Sequence, residues 1–269
     1  MQANAPIGVI DSGVGGLTVA KEIMRLLPNE KLVYIGDNAR CPYGPRPQAE
    51  VRKYTWQMAR ALMDKNIKLL VIACNTATAA ALDSLQKQLA IPVIGVIFPG
   101  ARAAMKVSAT NKVAVLGTSG TVKSGAYEKA LMSLKSSCSV TQLACPKFVP
   151  LVESDEYEGE FARQLVRETL LQLDGKSFDT AILGCTHYPL LQGFIEAELG
   201  PGVTVLSSAA ETAKDVENHL RYRNMLAGPA SGPVHQFYTS GSSTIFRTII
   251  KKWLGIENPA VYTIKFPQT

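Results

Sequence analysis

The stretch Ile67-Lys-Leu-Leu-Val-Ile-Ala-Cys74-Asn-Thr-Ala77 decides the reading of the fold, because Phe178-Asp-Thr-Ala-Ile-Leu-Gly-Cys185-Thr-His-Tyr188 echoes it later in the chain. In both, a short continuous apolar run reaches a cysteine and then turns polar. Runs of this kind, without polar alternation, belong to strands buried on both faces of a parallel sheet covered by helices. Working outward, Ile7–Ile10, Leu32–Ile35 and Pro92–Ile97 read as further strands. Leu17–Leu27, Gln48–Lys65 and Thr76–Leu89 read as the helices between them, with apolar residues at helical spacing.

The alternation restarts near residue 98. Val113–Leu116, Val140–Leu143, Thr180–Leu183 and Val203–Leu206 read as strands, with helices over Ser124–Leu134, Tyr157–Leu173 and a stretch ending at Leu199. Ala209–Met225 reads as a helix, Gly228–Pro233 as a loop, Gln236–Tyr238 as a short strand and Ser242–Leu254 as the last long helix. The expected fold class is therefore α/β, with two similar parallel-sheet α/β domains and an active site in the cleft between them. Residues 1–97 and 208–269 make the first domain, and 98–207 the second. The chain crosses at Phe98-Pro-Gly100 and returns at Ser207-Ser208.

Composition narrows the classes. The chain has 269 residues, 46% hydrophobic and 19% charged, with a formal net charge of +6. No apolar run is long enough to span a membrane, and no basic, apolar, small-residue leader precedes Ile7, so a cytoplasmic protein is expected. The basic residues form no dense cluster, which argues against nucleic acid as a partner. The five cysteines are odd in number, widely spaced and free of any C-x-x-C pair, so they are expected as free thiols. His187, His219 and His235 are scattered, and no metal-ligand spacing occurs, so no metal and no cofactor are expected. The sequence is compatible with a homodimer and does not fix the oligomeric state.

In open α/β sheets ligands bind beyond the C-terminal strand ends. The tips here are polar: Asp11-Ser12, Asp37-Asn38, Cys74-Asn75-Thr76, Thr118-Ser119-Gly120-Thr121 and Cys185-Thr186-His187. Asp11-Ser-Gly-Val-Gly-Gly16 is not a dinucleotide loop, since the fingerprint would need glycine where Thr18 stands. Asp11 reads equally as an anchor for an ammonium group and as a helix cap. Cys74 alone could be a small buried residue, and His187 a core or capping histidine. Two matched cysteines at helix N-termini point further, because such positions favour the thiolate. One thiolate and one thiol on opposite faces of a carbon acid are what a 1,1-proton transfer requires.

Asp11-Ser-Gly-Val-Gly-Gly-Leu-Thr18, Pro42-Tyr-Gly44, Cys74-Asn-Thr-Ala77, Gly117-Thr-Ser-Gly-Thr121 and Gly184-Cys-Thr-His-Tyr-Pro-Leu-Leu191 are similar to the motifs of the glutamate racemases of bacterial cell-wall synthesis. The likeness continues through Ser207–Thr212 and Phe237–Thr239, so it covers nearly the whole chain. It implies interconversion of L- and D-glutamate without pyridoxal or metal, for peptidoglycan. It also implies that Cys74 takes the alpha proton of D-glutamate and Cys185 that of L-glutamate, assisted by Asp11, His187 and Glu153. Ser12, Pro42, Tyr43, Gly44, Asn75, Thr76, Thr118, Thr121 and Thr186 match substrate-contacting positions, as do Asp11 and His187. The sequence departs from the family at Ser240-Gly-Ser242, where Thr-Gly-Asp is frequent; this segment is expected to lie away from the site and to bear on helix capping or an interface. A racemase of another amino acid, or a binding module without turnover, are the competing readings.

Overall fold

The computed structural model describes residues 3–229 and 232–267. The chain forms two compact units, 1–96 with 209–269, and 97–208. Along the first segment run β1 (Ile7–Asp11), α1 (Leu17–Leu26), β2 (Leu32–Gly36), α2 (Gln48–Met63), β3 (Leu69–Ile72), α3 (Asn75–Gln88) and β4 (Val93–Gly95). The middle segment carries α4 (Ile97–Val107), β5 (Lys112–Gly117), α5 (Ser119–Ser124), α6 (Ala126–Leu134), β6 (Ser139–Ala144), α7 (Phe148–Glu153), α8 (Gly159–Leu170), β7 (Thr180–Gly184), α9 (Gln192–Leu199) and β8 (Thr204–Ser207). The last segment adds α10 (Ala209–Tyr222), β9 (Gln236–Thr239), α11 (Ser243–Leu254) and β10 (Ala260–Thr263).

Two parallel sheets result, as the apolar runs require. The first has the order β10-β9-β2-β1-β3-β4 and the second β6-β5-β7-β8. Every residue of β1, β2, β3 and β7 is buried, which is why these strands show no polar alternation. One face of the first sheet packs Ile7, Val9, Leu69 and Val71 against α1, α10 and α11; the other packs Ile10, Val33, Ile35 and Leu70 against α2 and α3. Among the described residues no helix is long and apolar enough to cross a membrane.

Several expectations are corrected. Phe98-Pro-Gly100 is not a connecting break but the first turn of α4. Proline fits there because an N–H in the first helical turn has no intrahelical acceptor to lose. The helix expected over Ser124–Leu134 is α6, and a short helix that was not expected, α5, precedes it, separated from it by Gly125 at φ +63°. The expected helix over Tyr157–Leu173 starts at Gly159 and tightens into a 3-10 turn at Leu171–Leu173. Strand β10 and helices α4 and α7 were not legible. The expected loop Gly228–Pro233 includes residues 230 and 231, which lie outside the described residues.

Parallel strands put all their C-terminal ends at one edge of each sheet. In the first, Asp11 pairs with Gly36, Gly36 with Thr239, and Ile10 with Ile72. In the second, Gly117 pairs with both Ala144 and Gly184. The turns after these strands hold the side chains expected at the site.

Candidate active site

In the first unit, Asp11 is fully buried at the end of β1. Its Oδ1 accepts from the Gly13 amide at 2.9 Å, so it organises the glycine turn instead of capping α1, whose first turn has no side-chain cap. Gly16 is required beside it, since a Cβ there would come within 2.5 Å of the Asp11 Cβ. Ser12 is buried next to it.

Cys74 is the N-cap of α3, with the extended backbone usual there, and its Sγ accepts from the Ala77 amide at 3.4 Å. A sulfur replaces the usual capping oxygen, so the free N–H groups and the positive helix end face a thiol. Asn75 and Thr76 follow, both buried. Tyr43 is buried in the same apolar cluster as Cys74. Its hydroxyl donates to Asp37 Oδ2, and burial, followed by Asp37, pushes its pKa well above the usual phenol range. Tyr43 is thus a fixed neutral phenol. Pro42, joined to Cys41 by a cis peptide bond, is exposed, and Gly44 is buried.

In the second unit, Thr118 caps α5, accepting from the Thr121 amide at 3.2 Å, with the two hydroxyls 3.0 Å apart. Register places Thr118 and Cys185 just past the paired residues Gly117 and Gly184. A Cβ at Gly184 would approach the Leu116 carbonyl oxygen to 2.8 Å, so this strand end needs glycine. Thr186 is buried.

Cys185 does not repeat the helix-capping geometry of Cys74, and this corrects the expectation of two equal designs. The helix-like turn after it begins only at Tyr188. Its thiol instead meets His187, with Sγ and Nδ1 3.8 Å apart, and His187 Nε2 lies 2.6 Å from Glu153 Oε1. Burial alone would lower the His187 pKa, but the hydrogen bonds to Cys185 and Glu153 outweigh it and raise it to about 10. Cys74 thus faces a helix end, whereas Cys185 faces a histidine ring backed by a carboxylate. Nearby, Cys145 is fully buried and its thiol is pushed up to about 12 by burial and then by Cys185, which leaves it an unreactive neighbour.

A pH dependence follows from the raised histidine. A folded-state pKa of about 10 against an unfolded value near 6.5 means the protonated ring stabilises the fold fully below about pH 6.5, and this contribution is lost as pH rises toward the folded value. Glu153→Gln removes the carboxylate and is expected to bring the His187 pKa down. NMR titration of the His187 ring should show this midpoint falling; an unchanged midpoint would mean Glu153 does not hold the charge.

Three residues were missed. Asp37 stood among the polar tips but was given no role. Arg40 had no motif to mark it. Ser240 was expected away from the site, yet its Oγ donates to Asp37 Oδ1 at 2.7 Å and accepts from the Ala39 amide at 3.0 Å. The parallel pairing of β2 with β9 brings it there. The capping expectation for the same segment does hold for Ser242, whose Oγ accepts from the Ile245 amide at 3.3 Å.

The Asp/Glu/hydantoin racemase family model matches residues 7–216. The glutamate racemase of Lysinibacillus sphaericus is 63% identical over 251 residues, covering 93% of this chain and 95% of that protein. A crystal structure of glutamate racemase from Bacillus anthracis is similar with a TM-score of 0.96 and 48% identity, covering 100% of both chains. That of the Francisella tularensis enzyme, in complex with D-glutamate, has a TM-score of 0.91 and 33% identity over 98% of each chain. The chain belongs to the Asp/Glu/hydantoin racemases and, among them, to the glutamate racemase family.

Proposed function

We propose that this protein interconverts L- and D-glutamate by 1,1-proton transfer between Cys74 and Cys185, supplying D-glutamate for peptidoglycan synthesis. The observation that carries the reading is the pair of buried thiols at the C-terminal ends of parallel strands, each with its own device for holding negative charge. A thiol of ordinary pKa near 8.5 is only about 3% ionised at pH 7, so such devices matter. On Cys74 the α3 amides stabilise a thiolate that removes the alpha proton of D-glutamate, and Cys185 delivers a proton to the opposite face. With L-glutamate the roles reverse, and Cys185 is the base. His187, held by Glu153, sets the charge balance at Cys185. Asp11 assists Cys74.

The alpha C–H of an amino acid is a weak acid, so the developing negative charge needs donors. Ser12, Asn75, Thr76, Thr118, Thr121 and Thr186 are short polar side chains suited to the two carboxylates of glutamate, with Pro42, Tyr43 and Gly44 beside them. Exclusion of water from the thiolate would lower the barrier further. Neither pyridoxal nor metal takes part, because the two thiols supply both base and acid. The cytoplasm suits the five free cysteines.

Chiral chromatography of either glutamate enantiomer, incubated with chelator-treated protein, should show the other enantiomer forming at an undiminished rate. Loss of activity restored by a metal would overturn the cofactor-free reading. Alanine lacks the second carboxylate, and losing a buried charge-assisted contact of about 3 kcal/mol should slow it about a hundredfold or more. Comparable turnover of alanine would contradict the assigned substrate.

A further inference from the structure

Arg40 has none of the roles assigned above, yet its guanidinium is held on several sides. Nε donates to Asp37 Oδ2 at 2.6 Å and Nη1 to Gln57 Oε1 at 2.5 Å. The ring centroid of Tyr54 lies 3.9 Å from its central carbon and that of Phe266 4.6 Å away. Nη2 has no hydrogen-bond partner among the described residues, so part of the hold comes from the two rings, which attract a cation while restricting its motion.

Asp37, fully buried, collects three groups: Ser240 on Oδ1, and Arg40 and the Tyr43 hydroxyl on Oδ2. Its lone pairs are therefore committed to orientation. Tyr43 shares an apolar cluster with Cys74. The other end of the chain closes this arrangement. The Ile264 amide donates to the Thr239 carbonyl at 2.9 Å, Ile264 and Phe266 pack on the cluster that holds Tyr43 and Cys74, and Gln57 Nε2 donates to the Pro267 carbonyl at 3.4 Å.

We propose that Arg40 is a positioning residue for the Cys74 half of the site, and that the C-terminal segment 264–267 is the strap that holds Arg40 in place. The chain of contacts runs from Phe266 through Arg40 and Asp37 to Tyr43 and its neighbours Pro42 and Gly44. The proposal rests on the two-thiol reading, since it assigns Arg40 to one half of that mechanism.

A single deprotonation isolates each half. A glutamate analogue carrying chloride on Cβ loses its alpha proton to the enzyme base and expels chloride, leaving an enamine that water converts to a 2-oxo acid and ammonium. Ammonium release is measured for both hands of the analogue. Cys74→Ser first identifies which hand depends on Cys74; if it abolishes neither or both, the two-thiol reading fails on its own. Arg40→Lys keeps the charge but loses the fork that reaches Asp37 and Gln57 together. It is expected to slow elimination of the Cys74-dependent hand about tenfold, as a small misplacement of a reacting group does, and to leave the other hand unchanged. Phe266→Leu keeps apolar volume without the ring face and should slow the same hand about threefold, with Phe266→Trp restoring it. Melting midpoints are recorded alongside. If both variants slow the two hands equally, with or without a lower midpoint, Arg40 is only a structural residue and the proposal is overturned. Unchanged elimination of both hands would overturn it too.

Discussion

Cys74→Ser and Cys185→Ser are each expected to lower racemisation of both enantiomers by about a thousandfold or more, since each removes one acid/base group from every turnover. A serine hydroxyl has nearly the shape of the thiol but is a far weaker acid. Steady-state rates alone will not reveal which face is lost, because the two enantiomers are equal in free energy. The ratio of kcat/KM in the two directions must stay at unity in any variant. The elimination analogues escape this constraint because they need only the first deprotonation. Cys74→Ser should still process the L-like hand, and Cys185→Ser the D-like hand. If either variant racemises at the wild-type rate, that cysteine is a packing residue and the two-base mechanism fails. If the surviving hands are exchanged between the two variants, the chemistry stands and the facial assignment falls; if either variant eliminates both hands equally, the two-base mechanism fails.

Lys68→Ala is expected to destabilise the first unit by about 3–5 kcal/mol, the cost typical of breaking a buried ion pair. Lys68 and Glu30 are 0% and 2% exposed, and Nζ lies 2.6 Å from Glu30 Oε2. The ammonium also donates to the carbonyls of Ala3 and, at 2.7 Å, Met225, while Glu30 Oε1 accepts from the Ala227 amide at 2.8 Å. The pair therefore ties the start of β3 to the N-terminal segment and to the chain after α10. Removing the lysine leaves a buried carboxylate and two carbonyls without their donor. The melting midpoint should fall by about 10 °C. Lys68→Met combined with Glu30→Leu should recover much of the loss, because the orphaned charge goes with its partner. A Lys68→Ala midpoint within about a degree of the parent would show that the pair contributes little.

Lys68 illustrates what the sequence conceals. It sits inside the apolar run that announced the fold, and nothing local marks it as the ion-pair partner of Glu30. The runs around it were legible because burial on both faces leaves few polar residues in a strand. The strand-end cysteines were legible for the complementary reason, that polar residues just beyond such runs have a site to serve. Ser240 was not, since its bond to Asp37 depends on pairing β2 with β9, which is distant in sequence, and Arg40 was not, since Gln57, Tyr54 and Phe266 reach it from other elements. Glu153 was reached only through the family likeness; helix α7, which carries it to His187, has no periodicity long enough to read. The difference between Cys74 and Cys185 was hidden by their similar flanks. Asn75 continues directly into a helix, whereas the residues after Cys185 form a turn that brings His187 back to the thiol.

If two separate bases serve the two faces, the fate of the alpha hydrogen will show it. Each glutamate enantiomer is incubated in D2O, and the reaction is stopped early for separation of the enantiomers and mass analysis of each. A two-thiol enzyme protonates the second face from a thiol that has exchanged with solvent. Deuterium is therefore expected at Cα in nearly every product molecule, with little in the unreacted enantiomer, from either starting hand. Product that retains the original hydrogen would mean that one group removed and returned it, and would contradict the account.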